Sequence, residues 1–279
     1  MKLFQFPGSA AAITGAASGI GRALALALSA RGCDLALADL DLDGLEALAK
    51  EITAAHGHRV TIQRVDVADP KQIEDFSTAA IAAFPALNLL FNNAGVALLG
   101  EFEEFDQSQM MWLMDINFWG VVRGTRAFLP HLAGRPRAHI VNISSIFGII
   151  APAGQSAYSA SKFAVRGFSE SLRHELAMNK STVSLSVVHP GGVKTNIARR
   201  ARSGVNLREK VSMDQLADRF DRLARTTPEA AAQRIIRGVE RNEPRILIGS
   251  DAKYLDLIQR LRPATYWPML ARIFDRMTV

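Results

Sequence analysis

Short apolar runs alternate along the chain with longer stretches whose apolar residues recur every three or four positions. The runs 10–14, 35–39, 60–67, 87–92, 139–144, 184–189 and 245–248 have the length and the aliphatic content of buried strands. Between them, 19–31, 42–56, 70–84, 107–133, 158–178 and 228–241 have helical spacing. Thr227-Pro228-Glu229 is a helix start: a capping hydroxyl, a proline at the first helical position, then an acid in the first turn. Strands alternating with helices predict an α/β chain with a parallel sheet covered on both faces. No linker or repeat interrupts the alternation over residues 1–250, which predicts one domain. Residues 193–226 are polar and basic and leave the pattern, as an excursion covering a site would. Residues 251–279 form an amphipathic extension, whose stripes can pack on the body or across a subunit interface or make a peripheral contact with an anionic membrane. Tyr254, Leu257, Ile258 and Leu261 make one stripe; Trp267, Leu270, Ala271, Phe274 and Met277 make another.

Composition and charge narrow the class. A chain of 279 residues with 48% hydrophobic content can bury a full core. Its single cysteine, Cys33, excludes an internal disulfide and a cysteine-based zinc site. His56 and His58 stand in a polar loop without an acidic or cysteine partner at ligand spacing, so no metal is expected. The first residues are broken at Pro7 and Gly8 and do not read as a signal peptide, and no apolar run is long enough to span a membrane. A cytoplasmic protein is expected. The net charge of +6 is uneven: residues 1–192 hold 15 Lys and Arg against 17 Asp and Glu, and residues 193–279 hold 18 against 10. The basic last third suits an anionic membrane surface or an acidic ligand. It carries no nucleic-acid-binding motif, so nucleic acid is not expected.

Candidate chemistry begins at the end of the first strand. Thr14-Gly15-Ala16-Ala17-Ser18-Gly19-Ile20-Gly21 opens the first helix. Glycines there allow a tight turn and close approach of the backbone to a pyrophosphate, which the positive end of a helix attracts. Asp39 closes the second strand, where an acid can bind a ribose 2′-hydroxyl and repel a 2′-phosphate. No Arg or Lys follows at Leu40 or Asp41, which favours NAD over NADP. Further along, Tyr158 and Lys162 in YSASK lie one helical turn apart, and a cation beside a phenol favours the phenolate.

Four more elements fall in order at predicted strand ends or helices: Asn92-Asn93-Ala94-Gly95, Asn117, Ser144-Ser145, and Pro190-Gly191-Gly192-Val193-Lys194-Thr195. With the glycine loop and YSASK, they give residues 8–250 a clear resemblance to the short-chain dehydrogenase/reductase family, in its form of about 250 residues. The resemblance implies a Rossmann-like, doubly wound parallel sheet of about seven strands. It implies an NAD- or NADP-dependent alcohol dehydrogenase or ketone reductase with Tyr158 as acid/base. Ser145 would hold and orient the substrate oxygen, Lys162 would lower the tyrosine pKa, and Asn117 would hold a water linking the lysine to solvent. Gly15, Ser18, Gly19, Ile20, Gly21 and Asp39 would bind the cofactor, together with Asp66 and Val67 at the adenine and Asn93, Ala94 and Gly95 beside the ribose. Pro190, Val193 and Thr195 would meet the nicotinamide carboxamide, and Tyr158 and Lys162 also count in the cofactor set. Family members pair the two long helices across a two-fold axis, so a homodimer or homotetramer is expected.

Rival readings fit less well. Ser159-Ala160-Ser161-Lys162 matches S-x-x-K, but the S-D-N and K-T-G partners of penicillin-binding enzymes are missing. A non-catalytic NAD-binding sensor would not need Ser145, Tyr158, Lys162 and Asn117 together. His189, before Pro190, reads as a packed residue. The segments expected near the substrate carry Val96, Leu98, Leu99, Ile146, Phe147, Ile149 and Ile150 and no fixed charge, which points to an apolar secondary alcohol or ketone. Phe147 is the substrate-contact candidate beside Ser145 and Tyr158. Arg199, Arg200 and Arg202 in the excursion could hold an anionic tail or face water.

Overall fold

The computed structural model describes residues 4–204, 215, 218, 222 and 224–271. Seven strands, β1 (Ala10–Thr14), β2 (Asp34–Asp39), β3 (Val60–Arg64), β4 (Leu87–Asn92), β5 (Ala138–Ile143), β6 (Val183–Pro190) and β7 (Arg245–Ile248), form one sheet. Its order is β3-β2-β1-β4-β5-β6-β7, and every pair is parallel. The order runs outward in both directions from the β1–β4 boundary, where doubly wound sheets open a crevice at their carboxyl edge.

Helices α1 (Gly19–Ser29), α2 (Leu42–His56), α3 (Pro70–Ala83), α4 (Gln107–Met114), α5 (Gly120–Ala133), α6 (Ser156–Met178), α7 (Pro228–Glu240) and α8 (Ser250–Leu261) cover the sheet or extend its loops. Strand alternation sends Ala11 and Ile13 to one face and Ala10 and Ala12 to the other. On the first face they meet Leu24 and Leu28 of α1, Leu45 and Leu48 of α2, and Ile235 and Ile236 of α7. On the second they meet Phe76 of α3, Phe128 of α5 and Leu176 of α6. Capping fixes where helices begin: Asp69 accepts the N–H groups of Lys71 and Gln72 ahead of Pro70, and Thr227 accepts that of Ala230 ahead of Pro228.

Three boundaries differ from the sequence pattern. β3 stops at Arg64, because Asp66 turns the chain by accepting the N–H of Ala68 on its carboxylate and that of Asp69 on its carbonyl. The expected helix 107–133 is broken by a π-helical turn at Asp115–Trp119, which contains Asn117. Two two-residue strands, 98–99 and 202–203, pair in parallel and strap the start of the 193–226 excursion to the segment after β4.

The described part of the extension packs on the body. Ile258 and Leu270 are buried against Ile146, Ile149 and Ile150, and the Tyr266 hydroxyl accepts the N–H of Ala151 at 2.9 Å. The stripe read from α8 is only partly buried: Tyr254, Leu257 and Leu261 are exposed, while Ala252, Asp256 and Ile258 are buried. Asp256 can be buried because Arg245 and Arg260 pair with it, at 3.4 and 2.9 Å. Trp267 and Ala271 are half-buried, and Phe274 and Met277 lie outside the described residues. No helix among the described residues is long and apolar enough to cross a membrane.

Two histidines lie inside the sheet and give stability a pH dependence. Burial, helped by Arg173 and Arg137, pushes His139 from 6.5 down to about 3. Burial likewise takes His189 to about 4, against a smaller opposing effect of its bond to Ser145. Values lowered by folding mean that the neutral rings support the fold fully above about 6.5 and lose that support as pH falls toward 4. Denaturant titrations at pH 7.5, 6 and 5 should therefore give falling unfolding free energies, with each histidine adding up to about 1.4 kcal/mol per pH unit to the slope. His139→Gln should flatten the slope, and an unchanged slope in that variant would show that His139 is not a source.

Candidate active site

Strands β1, β4, β5 and β6 deliver their carboxyl ends to one edge, and each end carries part of the site. At β1, Gly15 has φ 66°, and a Cβ there would lie 2.8 Å from the Cα of Ala94. The Asn93 side chain donates to the carbonyls of Thr14 and Gly15, both at 3.0 Å. In return the Thr14 hydroxyl oxygen accepts the N–H groups of Asn93 and Ala94, at 3.1 and 3.2 Å. Asn93 thus braces the glycine loop, a role not visible in its motif. Ser18 makes no side-chain cap on α1, so the first-turn N–H groups of Gly19, Ile20 and Gly21 stay available to an anion.

The opposite wall closes toward this loop. A Cβ at Gly19 would lie 3.1 Å from the Thr195 side chain, so the segment after β6 passes directly over the start of α1. Pro190 ends β6 and Val193 is buried, bridged to Thr226. Asp251, at the start of α8, accepts the Gly192 N–H at 2.7 Å; its long separation in sequence hid it. Asp39 accepts the N–H of Ala17 at 2.9 Å and that of Asp41 at 3.1 Å, one on each carboxylate oxygen. Each oxygen keeps a lone pair for a further donor. Asp66 and Val67 sit in the turn after β3, with Val67 packed against Gly120. The cradle that side chains at 15 and 19 would fill, the free helix start and the acid at β2 together fit a dinucleotide.

The reactive groups lie deeper. Ser145, Tyr158, Lys162 and Asn117 are all buried. The Ser145 hydroxyl oxygen accepts the Phe147 N–H at 3.1 Å, which leaves its own O–H to donate, and the serine beside Tyr158 favours the ionised phenol. Lys162 donates to the Ile143 carbonyl at 3.2 Å, and its ammonium lies 5.7 Å from the centre of the Tyr158 ring. The Asn117 amide donates to the carbonyl of Val96 at 3.0 Å and to the Ser161 hydroxyl at 3.1 Å, and accepts the Val96 N–H at 2.8 Å. It therefore ties the π-helical turn to the segment after β4. A Cβ at Gly95 would lie 3.2 Å from Asn117 Oδ1 and 3.3 Å from Lys162 Nζ, so these groups meet at one point.

Desolvation dominates the electrostatics of the two buried groups. Burial pushes Tyr158 up to about 12, and the Ser145 hydrogen bond offsets only part of this. Burial also lowers Lys162 to about 8. Desolvation disfavours both charges, so the positive ring of an oxidised cofactor is the further cation expected to lower the phenol.

The surroundings of Tyr158 are apolar. Val96, Phe105, Met110, Trp112, Phe147 and Ile197 pack with it and with Leu98, and the Phe147 ring meets the tyrosine edge-on at 6.2 Å. Ile146, Ile149 and Ile150, expected near substrate, pack instead under α8. The excursion arginines are engaged elsewhere: Arg199 with Asp218 at 2.7 Å, Arg200 with Asp41 at 3.8 Å, and Arg202 stacked on Trp112 at 3.7 Å. Among the described residues no cluster of three or more His, Cys, Asp or Glu could hold a metal.

Comparison with known proteins agrees with this geometry. Residues 9–206 match the family model described as short chain dehydrogenase. The chain belongs to the short-chain dehydrogenase family. This dehydrogenase is 43% identical over 268 residues to "Putative oxidoreductase SadH" of Mycobacterium tuberculosis, covering 96% of this chain and 95% of that one. Its fold superimposes on a short-chain dehydrogenase/reductase from Burkholderia phymatum, solved in complex with NAD, with a TM-score of 0.84 and 31% identity, covering 95% and 97% of the two chains. A metagenomic short-chain oxidoreductase solved with NADP gives a TM-score of 0.70 at 27% identity, covering 88% and 98%. The chain is thus an oxidoreductase of this family with a nucleotide-binding Rossmann fold.

Proposed function

We propose that this oxidoreductase moves a hydride between NAD(H) and an apolar secondary alcohol or its ketone. The carrying observation is the burial of Ser145, Tyr158 and Lys162 together, with the ammonium 5.7 Å from the centre of the phenol ring, at the same strand-end edge as Asp39. In ketone reduction Tyr158, neutral by its raised pKa, donates its proton to the carbonyl oxygen as hydride reaches the carbon. In alcohol oxidation the phenolate accepts that proton, and the ketone leaves. Ser145 holds the substrate oxygen through its O–H. Lys162 is the cation behind the tyrosine, and Asn117 fixes the turn beside it. The cofactor supplies the hydride and, when oxidised, a positive ring that favours the phenolate. Gly15, Ser18, Gly19, Ile20 and Gly21 would hold its pyrophosphate and Asp39 its ribose. Asp66 and Val67 would border the adenine; Asn93, Ala94 and Gly95 would shape the middle of the cleft; Pro190, Val193 and Thr195 would face the carboxamide. The apolar side chains packed around Tyr158 support an apolar substrate.

One observation favours an NADP-preferring carbonyl reductase as second reading: Arg200 stands 3.8 Å from Asp41, two residues past Asp39. The Asp39 carboxylate opposes it, since it would face a 2′-phosphate directly. For assembly, we propose a homodimer through α4–α5 and α6, whose outer faces carry the exposed Met111, Trp119 and Phe163.

A broad alcohol and ketone screen with both cofactors supplies a working substrate. With it, Tyr158→Phe should lower turnover by about 100-fold or more while NADH still binds, and retained turnover would remove the mechanism. The wild type should have the higher kcat/KM with NAD, and Asp39→Ala should relax that preference. A wild-type preference for NADP would overturn the role given to Asp39. Light scattering at micromolar concentration should give at least a dimer mass, and a monomer mass would refute the pairing.

A further inference from the structure

His189 has no part in the steps above, yet it touches the catalytic serine. It is fully buried on β6, one residue before Pro190, and its Nδ1 lies 2.8 Å from the main-chain oxygen of Ser145. A carbonyl only accepts, so Nδ1 carries the proton and Nε2 of the neutral ring is bare. That Nε2 has no hydrogen-bond partner among the described residues. An unpartnered buried acceptor weakens a fold, so packing alone would favour an aliphatic side chain here. The imidazole's distinctive contribution is the N–H aimed at Ser145.

The position of that bond gives it meaning. The β5–β6 ladder runs to Ile143 beside Val188, and its last rung joins the Ser144 N–H to the Val188 carbonyl at 2.8 Å. Ser145 then leaves the sheet. Its carbonyl accepts the Gly148 N–H at 2.9 Å and its hydroxyl accepts the Phe147 N–H, so the short 3-10 turn Ile146–Gly148 hangs from Ser145. The imidazole supplies the next link from β6 after the main-chain rungs end.

We infer that His189 is a positioning residue: its Nδ1–H extends the β5–β6 ladder by one side-chain rung and sets the angle at which the Ser145 hydroxyl meets Tyr158 and substrate. This rests on the roles proposed for Ser145 and Tyr158. The ring's neutrality fits the task. Burial lowers His189 to about 4, Arg245 on β7 and Arg166 on α6 push the same way, and Glu170 on α6 opposes them weakly.

The test compares kcat, NADH affinity and thermal stability in His189→Asn and His189→Leu, with Tyr158→Phe as reference. The asparagine Nδ2 can take the place of Nδ1–H, whereas leucine fills space without a donor. His189→Leu should lower kcat about 10-fold or more with NADH affinity near wild type, because a small misplacement of a reacting group is costly. His189→Asn should return kcat to within about 3-fold of wild type, a rescue that simple packing would not produce. Wild-type kcat in His189→Leu beside an inactive Tyr158→Phe overturns the inference and leaves the mechanism intact, whereas an active Tyr158→Phe overturns the mechanism. Equal loss in both His189 variants also overturns the inference. Should the leucine variant not fold, 15N-edited NMR of the wild type decides: a protected Nδ1-bound proton of His189 persisting from about pH 5 to 9 supports the rung, and its absence overturns it.

Discussion

The clasp between Thr14 and Asn93 joins the two loops on which the cleft is built. β1 and β4 are neighbours at the place where the sheet reverses its order, and each ends in a loop with little regular pairing of its own. Asn93 donates to two carbonyls of the glycine loop, and Thr14 accepts two N–H groups of the Asn93–Ala94 segment. Both partners are side chains reaching for the other loop's backbone, so the loops cannot move apart without losing all four bonds. The close approach of Gly15 to Ala94 follows from the same clasp, as does the position of Gly95 against Lys162 and Asn117. The cofactor cradle and the reactive groups are thereby built as one unit.

Desolvation sets the chemistry of that unit. Removing water raises the phenol and lowers the ammonium. The tyrosine is accordingly ready to give a proton and needs a nearby positive charge before it can take one. A pocket of this kind responds to the redox state of what binds beside it. The Ser145 hydroxyl beside Tyr158 offsets part of the phenol's rise, and its oxygen is tied to the Phe147 N–H.

Much of this was legible in the chain, and the reasons are local. Strand ends are marked by the change from aliphatic runs to glycine, asparagine and serine, and four such ends carry chemistry in one order. Helix starts are marked by Asp69 and Thr227 before proline. What escaped depends on partners distant in sequence. Asp251 holds Gly192 from a helix some sixty residues on, and His189 binds Ser145 from the neighbouring strand. Neither link has a spacing that a motif could reveal. The α8 stripe is only partly buried, because periodicity reports that a face is apolar and not which part of it finds a neighbour. There, arginines 245 and 260 let Asp256 turn inward, and Leu257 and Leu261 face out.

The central claim is that the Tyr158 oxygen carries the proton. Replacing Tyr158 by a ring-fluorinated tyrosine lowers the pKa of that one group and leaves the pocket nearly unchanged in shape. The measurement is the pH dependence of kcat/KM for alcohol oxidation in the two proteins. The account predicts that the acid limb of the profile moves to lower pH with the fluorinated phenol. A limb that stays in place while the enzyme remains active would contradict it.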